Sequence, residues 1–223
     1  MRPVIIFGAG PVGRLAFWYF TRELGREVAA FCVDDACYGE EHALGLPVVR
    51  ASALEARWPP DACRLFVAVG YQKLNRARQE IFEAWTARGY ETVSCVSTRA
   101  FVAEPGAIGR NCFIMEGAVV QPFARVGDDC ICWSGAVVAH ESRIGDHCFL
   151  AAHSVVGGMA TIGDNTFLGM NSTVRDGVRV GRGCLVGAGS LVLRDLADDS
   201  LVAAGESPVS RTPASAALRF IGI

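Results

Sequence analysis

The sequence has no long apolar run, no block of like charge and no CxxC pair, and histidine occurs only four times. Each absence removes a class of function. With 21 basic against 23 acidic groups evenly mixed, nothing marks a nucleic-acid face or a basic membrane patch, so a small-molecule partner is expected. The opening stretch MRPVIIFGAGPVG is broken by glycine within a few residues, which fits neither a secretory core nor a membrane span. A cytoplasmic protein without a membrane partner is the expectation. Nine cysteines are an odd number in a chain long enough to bury its own core, so reduced thiols are expected. Cys130 and Cys132 form a CxC pair that reads as small buried residues, and no metal site is expected.

What is present divides into two parts with different periods. Up to residue 97, apolar strand-like runs alternate with amphipathic segments. PVIIFG, EVAAFCVDD and RLFVAVG read as strands, residues 11–25, ASALEARW and 72–88 as helices, and ETVSCVS as the closing strand. This is a βαβ pattern, so residues 1–97 are expected to form a Rossmann-like α/β domain with a parallel sheet.

From Val102 every sixth residue is apolar through Val192, sixteen positions without an insertion. An uninterrupted hexapeptide repeat is the signature of a parallel β-helix. The units IGRNCF, VGDDCI, IGDHCF, IGDNTF and VGRGCL recur every 18 residues, one triangular coil each, giving about five coils over residues 98–223 with a capping tail after Val192. Like positions then stack in columns. Cys112, Cys130, Cys148 and Cys184 share one column with Thr166, which suits a corner that admits only small side chains.

The register sorts three histidines that crowd into residues 140–153. His147 is in line with Asn111, Asp129, Asn165 and Gly183, a column of turn formers, and is expected to be a polar corner residue. His153 falls among Gly117, Gly135, Asn171 and Gly189, so its side chain is expected to project and to be available to a ligand or a neighbouring subunit. His140 is followed by Glu141 and lies one coil from Gly157 and Gly158, combining a tunable base with approachable backbone amides. The three lie on different faces, so within one chain they cannot share a metal.

At the other end, GAGPVG follows a strand and precedes a helix, with Gly8 and Gly10 allowing close approach of backbone to a phosphate and Gly13 allowing the helix to pack on the strand. Asp34 and Asp35 close the next strand, near where a nucleotide base or ribose would lie, and Gly70 follows the third strand in the same way. The α/β half is too short for a full dinucleotide fold. A nucleotide-linked sugar site and a tight turn without ligand are both open on these residues.

A small α/β domain joined to a β-helix carrying AHESRIGDHCF and FLGMNSTVRDGVRVGRGCLVGAGSLV resembles the bacterial sugar O/N-acyltransferases, the group of sialic acid O-acetyltransferases and nucleotide-aminosugar N-acetyltransferases. The resemblance implies a left-handed β-helix, a homotrimer, acetyl-CoA as acyl donor in grooves between neighbouring helices, and a nucleotide-linked sugar as acceptor. It implies His140 as general base with Glu141 assisting, and the amide of Gly158 near the thioester carbonyl. It places His153, Phe149 and Gly157 in the cofactor groove, followed by Asn171, Ala188, Gly189 and, in the GESP turn, Pro208. It also implies Gly8, Gly10, Gly13, Asp34, Asp35 and Gly70 as substrate-binding. Two positions depart from the pattern. Phe149 stands where the family often has a second histidine, and Val12 stands at the histidine of the glycine loop. An acyl-CoA-dependent N- or O-acyltransferase of glycan biosynthesis is expected; a β-helix metal-dependent hydratase and a nucleotide-sensing binding module are the alternatives.

Overall fold

The computed structural model describes residues 2–104 and 107–205. The α/β half is built on strands β1 (Val4–Phe7), β2 (Val28–Val33), β3 (His42–Ala43), β4 (Leu46–Arg50) and β5 (Arg64–Val67) in the order β3-β4-β2-β1-β5. All pairings are parallel except β3 with β4. That antiparallel edge is a hairpin outside the βαβ reading. Its two turn residues, Leu44 and Gly45, have φ of 51° and 81°, the backbone a two-residue hairpin loop demands, and leucine gives no sequence signal for it.

Helices α1 (Pro11–Trp18), α2 (Ala51–Arg57) and α3 (Arg76–Ala87) connect the strands. Proline at its first position suits α1, because the missing N–H would have no partner there. The chain then continues as a π-helical turn over Tyr19–Glu23, so the helical stretch expected to Gly25 breaks its hydrogen-bond register at Tyr19. Helix α3 starts four residues later than the pattern suggests, because Lys73, Leu74 and Asn75 adopt left-handed backbone.

The second half is a parallel β-helix of three sheets with seven, six and four strands. Up to Val192 the strands pair at a spacing of 18 residues, as in Phe113–Ile114 with Ile131–Cys132 and Val137–Val138 with Val155–Val156. The strand Cys95–Val96, read from sequence as the end of the α/β half, pairs with Phe113–Ile114 and opens the longest face of the β-helix. The regular 18-residue stacking also ends differently from expectation. Leu201–Val202 adds a last strand on Leu185–Val186 through a turn shortened to 16 residues, so the helix continues past Val192. Seven strands at ~4.8 Å spacing make the longest face about 29 Å tall. The interior is filled by the sixth-position residues, from Ile114 through Val192, all buried.

The cysteine column has a hydrogen-bonding logic as well as a steric one. Sγ of Cys112, Cys130 and Cys148 each points at a glycine carbonyl one coil on, at 3.0, 3.1 and 3.3 Å, and Thr166 Oγ1 makes the same contact to Gly181 O at 3.0 Å. Threonine interrupts the column because its hydroxyl is another small donor. Burial pushes the Cys112 and Cys148 thiols well above their usual range, and all nine cysteines are free. No helix among the described residues is long and apolar enough to cross a membrane.

The two halves share a core. Phe113, Met115, Ile131 and Phe149 of the β-helix pack with Ile6, Phe20 and Phe66 of the α/β half. Phe113 meets Tyr19 and Phe66 edge-on at 5.3 and 5.6 Å between ring centroids, the geometry aromatic quadrupoles favour.

Candidate active site

Two places gather the chemistry. The first lies at the carboxyl ends of β1, β2 and β5, where α1 packs on one side of the sheet and α2 and α3 on the other, the usual position of a ligand crevice in a parallel sheet. A cleft of about 880 Å³ is lined there by Gly8, Gly10, Pro11, Asp34, Gly70, Tyr71 and Gln72, with Trp133 facing them from the β-helix. The glycine loop is required by geometry. Gly8 has a φ of 112° and a Cβ on it would sit 2.7 Å from Ala68 O, while a Cβ on Gly13 would sit 1.8 Å from Gly8 O. Gly13 therefore serves packing of α1 on β1. Gly10 has nothing within 4 Å of its Cβ position and borders open space.

Asp34 lines this cleft and an adjoining one of about 430 Å³ that includes Lys73, Glu80 and Arg88. Asp35, expected beside it, is used otherwise. Its Oδ1 accepts the N–H of Ser52 at 3.1 Å in the first turn of α2, and hydrogen bonds from Ser52 hold its carboxyl below the usual range. It is absent from the lining of the cleft.

Phe149, expected in the cofactor groove, is buried in an aromatic stack on the face covered by the α/β half. It lies parallel to Phe167 at 5.2 Å, edge-on to Tyr71 at 5.2 Å and 6.2 Å from Trp133. It supports the wall of that cleft through Tyr71 and Trp133. Trp133 and Tyr71 carried no signal in the sequence reading. Trp133 stands at a position whose neighbours along the repeat are Met115 and Ala151, and the indole N–H, buried without a partner among the described residues, marks it only in three dimensions.

The second place is the corner after Val137–Val138. His140 is exposed there, with Nδ1 3.4 Å from Glu141 Oε2. Its backbone N–H donates to Gln121 Oε1 at 2.9 Å, which fixes the turn. The ring lies flat against Gly158, where a Cβ would come within 2.5 Å of His140 Nε2. The Gly158 amide, expected to face a thioester carbonyl, instead donates to Asp176 Oδ1 at 2.7 Å. It belongs to a ladder in which an aspartate accepts the amide one coil below, as Asp146 does from Asp128 and Asp164 does from Asp146. Gly158 thus gives room to the His140 ring. The Gly157 amide is likewise engaged, with Val174 O at 2.9 Å.

His153 occupies the preceding corner and is exposed, its ring across Gly135 so closely that a Cβ there would meet it at 2.5 Å. Asn171, Ala188 and Gly189 continue that corner upward and are exposed. Pro208 lies outside the described residues. His140 and His153 stand on different corners, and His140 is absent from the lining of the cleft.

His147 departs most from expectation. It sits at a corner, as the column of turn formers requires, with a φ of 58°. It is nevertheless buried against α3, with Nδ1 2.9 Å from Asp129 Oδ2 and its ring 5.8 Å from Phe82. Burial alone would lower its pKa, but the Asp129 hydrogen bond and charge outweigh this and raise it. The same column docks the halves throughout: Asn111 binds the backbone of Val67, Asp129 pairs with the buried Arg78, and Asn165 donates to Gln79.

Residues 107–140 match the bacterial transferase hexapeptide family (six repeats), and residues 159–194 match the hexapeptide repeat of succinyl-transferase. No curated relative matches the chain. Among solved structures, the chain is similar to PerB from Caulobacter crescentus in complex with CoA and GDP-perosamine, at 32% identity, 90% of this chain, 93% of that one and a TM-score of 0.80. The same GDP-perosamine N-acetyltransferase with one histidine replaced by alanine matches at 32% identity over the same shares, with a TM-score of 0.81. The acetyltransferase domain of PglB from Neisseria gonorrhoeae, in complex with acetyl coenzyme A, matches at 26% identity over 90% of this chain and 95% of that one, with a TM-score of 0.79. Repeat, corner histidine, glycine loop and these likenesses converge: the chain belongs to the hexapeptide-repeat family of bacterial sugar acyltransferases.

Proposed function

We propose that the protein transfers an acyl group, acetyl in the first instance, from CoA to the amine of a sugar carried on a nucleoside diphosphate, in the building of a bacterial glycan. The observation that carries this reading is the exposed His140–Glu141 pair set over Gly158 on a corner of the β-helix. An amine attacking a thioester must shed a proton, and histidine is the side chain whose ordinary pKa suits it to accept one near neutrality. His140 Nε2 takes that proton. Glu141 accepts from Nδ1–H, which fixes the tautomer that leaves Nε2 free. The donor supplies an activated carbonyl carbon and a thiol leaving group.

The donor fits the corner of His153, Asn171, Ala188 and Gly189, whose small residues leave an open strip along a β-helix that we read as left-handed. The Rossmann-like cleft then takes the nucleotide, with Gly10 and the amides at the start of α1 facing the diphosphate and Asp34 facing the ribose or base. Because His140 does not reach its own chain's cleft, a complete site needs a second copy, which supports a homotrimer. Phe123 and Met159, exposed one coil either side of Glu141, offer apolar surface for that contact. Nine free cysteines suit the cytoplasm, where acetyl-CoA and nucleotide sugars occur.

Release of CoA thiol should be measured with acetyl-CoA and a panel of GDP-, UDP- and dTDP-linked amino sugars, alongside light scattering. Turnover of at least one acceptor by a trimer is expected. A stable monomer that turns over none of them contradicts the reading.

A further inference from the structure

Lys73, Leu74 and Asn75 have φ of 52°, 53° and 66°, three successive left-handed residues without a glycine. L-residues adopt this conformation singly and seldom in runs, so something outside the turn must hold it. Asn75 is fully buried, with Nδ2 3.5 Å from Thr166 O of the β-helix and Oδ1 accepting from Arg78 Nη1 at 3.3 Å. The same Nη1 donates to Gly70 O at 3.2 Å. Arg78, also fully buried, anchors on the β-helix through Asp129 O at 2.9 Å, Cys148 O at 3.3 Å and the Asp129 carboxylate at 3.2 Å. At the other end of the loop Asn111 accepts from Val67 N–H at 2.7 Å and donates back to Val67 O at 3.3 Å.

The segment from Val67 to Asn75 is therefore pinned to the β-helix at both ends and, through Arg78, at Gly70. Between the pins, Gly70, Tyr71 and Gln72 form one wall of the larger cleft, and Lys73 borders the smaller one. We infer that Arg78 and Asn75 are positioning residues for the nucleoside diphosphate: they hold the loop in the strained shape that forms the cleft wall. The inference rests on reading that cleft as the nucleotide-sugar site. An anchor that merely stabilised the fold would affect both substrates alike. A positioning residue changes affinity in the cleft and leaves the distant acyl-donor corner untouched.

The test is calorimetric titration of the full chain with GDP, UDP and dTDP, and separately with acetyl-CoA. Asn75→Gly keeps a residue at ease with positive φ but removes the contacts to Thr166 and Arg78. Arg78→Lys keeps the charge but loses the planar fork that serves three backbone carbonyls, the Asn75 amide oxygen and a carboxylate. For the diphosphate that wild type binds, Kd should rise at least tenfold in both variants, with acetyl-CoA affinity within twofold of wild type. Should Arg78→Lys fail to fold, Asn75→Gly decides. A folded Asn75→Gly that binds the diphosphate like wild type overturns the positioning role and leaves the cleft assignment intact. Equal loss of both ligands also overturns it, since that is the mark of a purely structural anchor. Wild type binding none of the three diphosphates overturns the cleft assignment and the inference with it.

Discussion

Two histidine–carboxylate pairs lie within a dozen residues of each other and do different work. His140 and Glu141 are neighbours in sequence, 3.4 Å apart, with side chains 53% and 57% exposed. His147 and Asp129 are one coil apart in sequence, 2.9 Å apart in space, with side chains 9% and 0% exposed. The residue types are nearly the same, so solvent access and the remaining partners decide the role. An exposed ring with a loose carboxylate is open to a docking molecule. A buried ring whose carboxylate also holds Arg78 is a structural tie between the halves. The lesson is that a histidine beside an acid is a site only where something can reach it.

Mutation separates the two pairs. The largest effect should come from His140→Ala, which is expected to lower turnover by ~10²–10⁴. Acetyl-CoA affinity and the denaturant midpoint should stay at wild-type values. On the structural side, Arg78→Met leaves Asp129 buried without its cation and should destabilise the fold by about 3–5 kcal/mol in urea unfolding.

A smaller loss of about 1–3 kcal/mol is expected for His147→Ala, which leaves a buried acceptor short of a partner. Its pH signature sharpens the contrast. The folded pKa of His147 is raised above its ordinary value of 6.5, so the stability it contributes is fully present below that pH and is lost as pH rises through the folded value. Thermal midpoints of wild type should therefore fall over that interval, and those of His147→Ala should fall less. Least in energy, but a direct check of the β-helix register, Cys112, Cys130, Cys148 and Cys184 should stay unlabelled by a thiol reagent until denaturant is added. Native labelling of all four would refute the column.

The repeat was legible because each coil must bury one apolar residue per face and keep a small one at the corner, a demand renewed every six residues. The His140 corner was legible for the same reason, since the register alone separates it from His147 and His153. What could not be read was the destination of the turn-forming column. Asn111, Asp129, His147 and Asn165 suit left-handed corners, and nothing local shows that their side chains turn inward to α3 and β5, which precede them by dozens of residues. Arg78 carries no mark either, being one of several charged residues in the helix read over 72–88. That the amide expected to be approachable at Gly158 is engaged was not legible from sequence, because its acceptor, Asp176, lies one coil away.

The most direct test compares kcat for His140→Ala and His147→Ala at a temperature where both are fully folded, with the same acceptor and saturating acetyl-CoA. A crossed pattern is expected: turnover lost by orders of magnitude with an unchanged melting point for His140→Ala, and near wild-type turnover with a lowered melting point for His147→Ala. A folded His140→Ala that turns over like wild type, or a folded His147→Ala that does not, would contradict it.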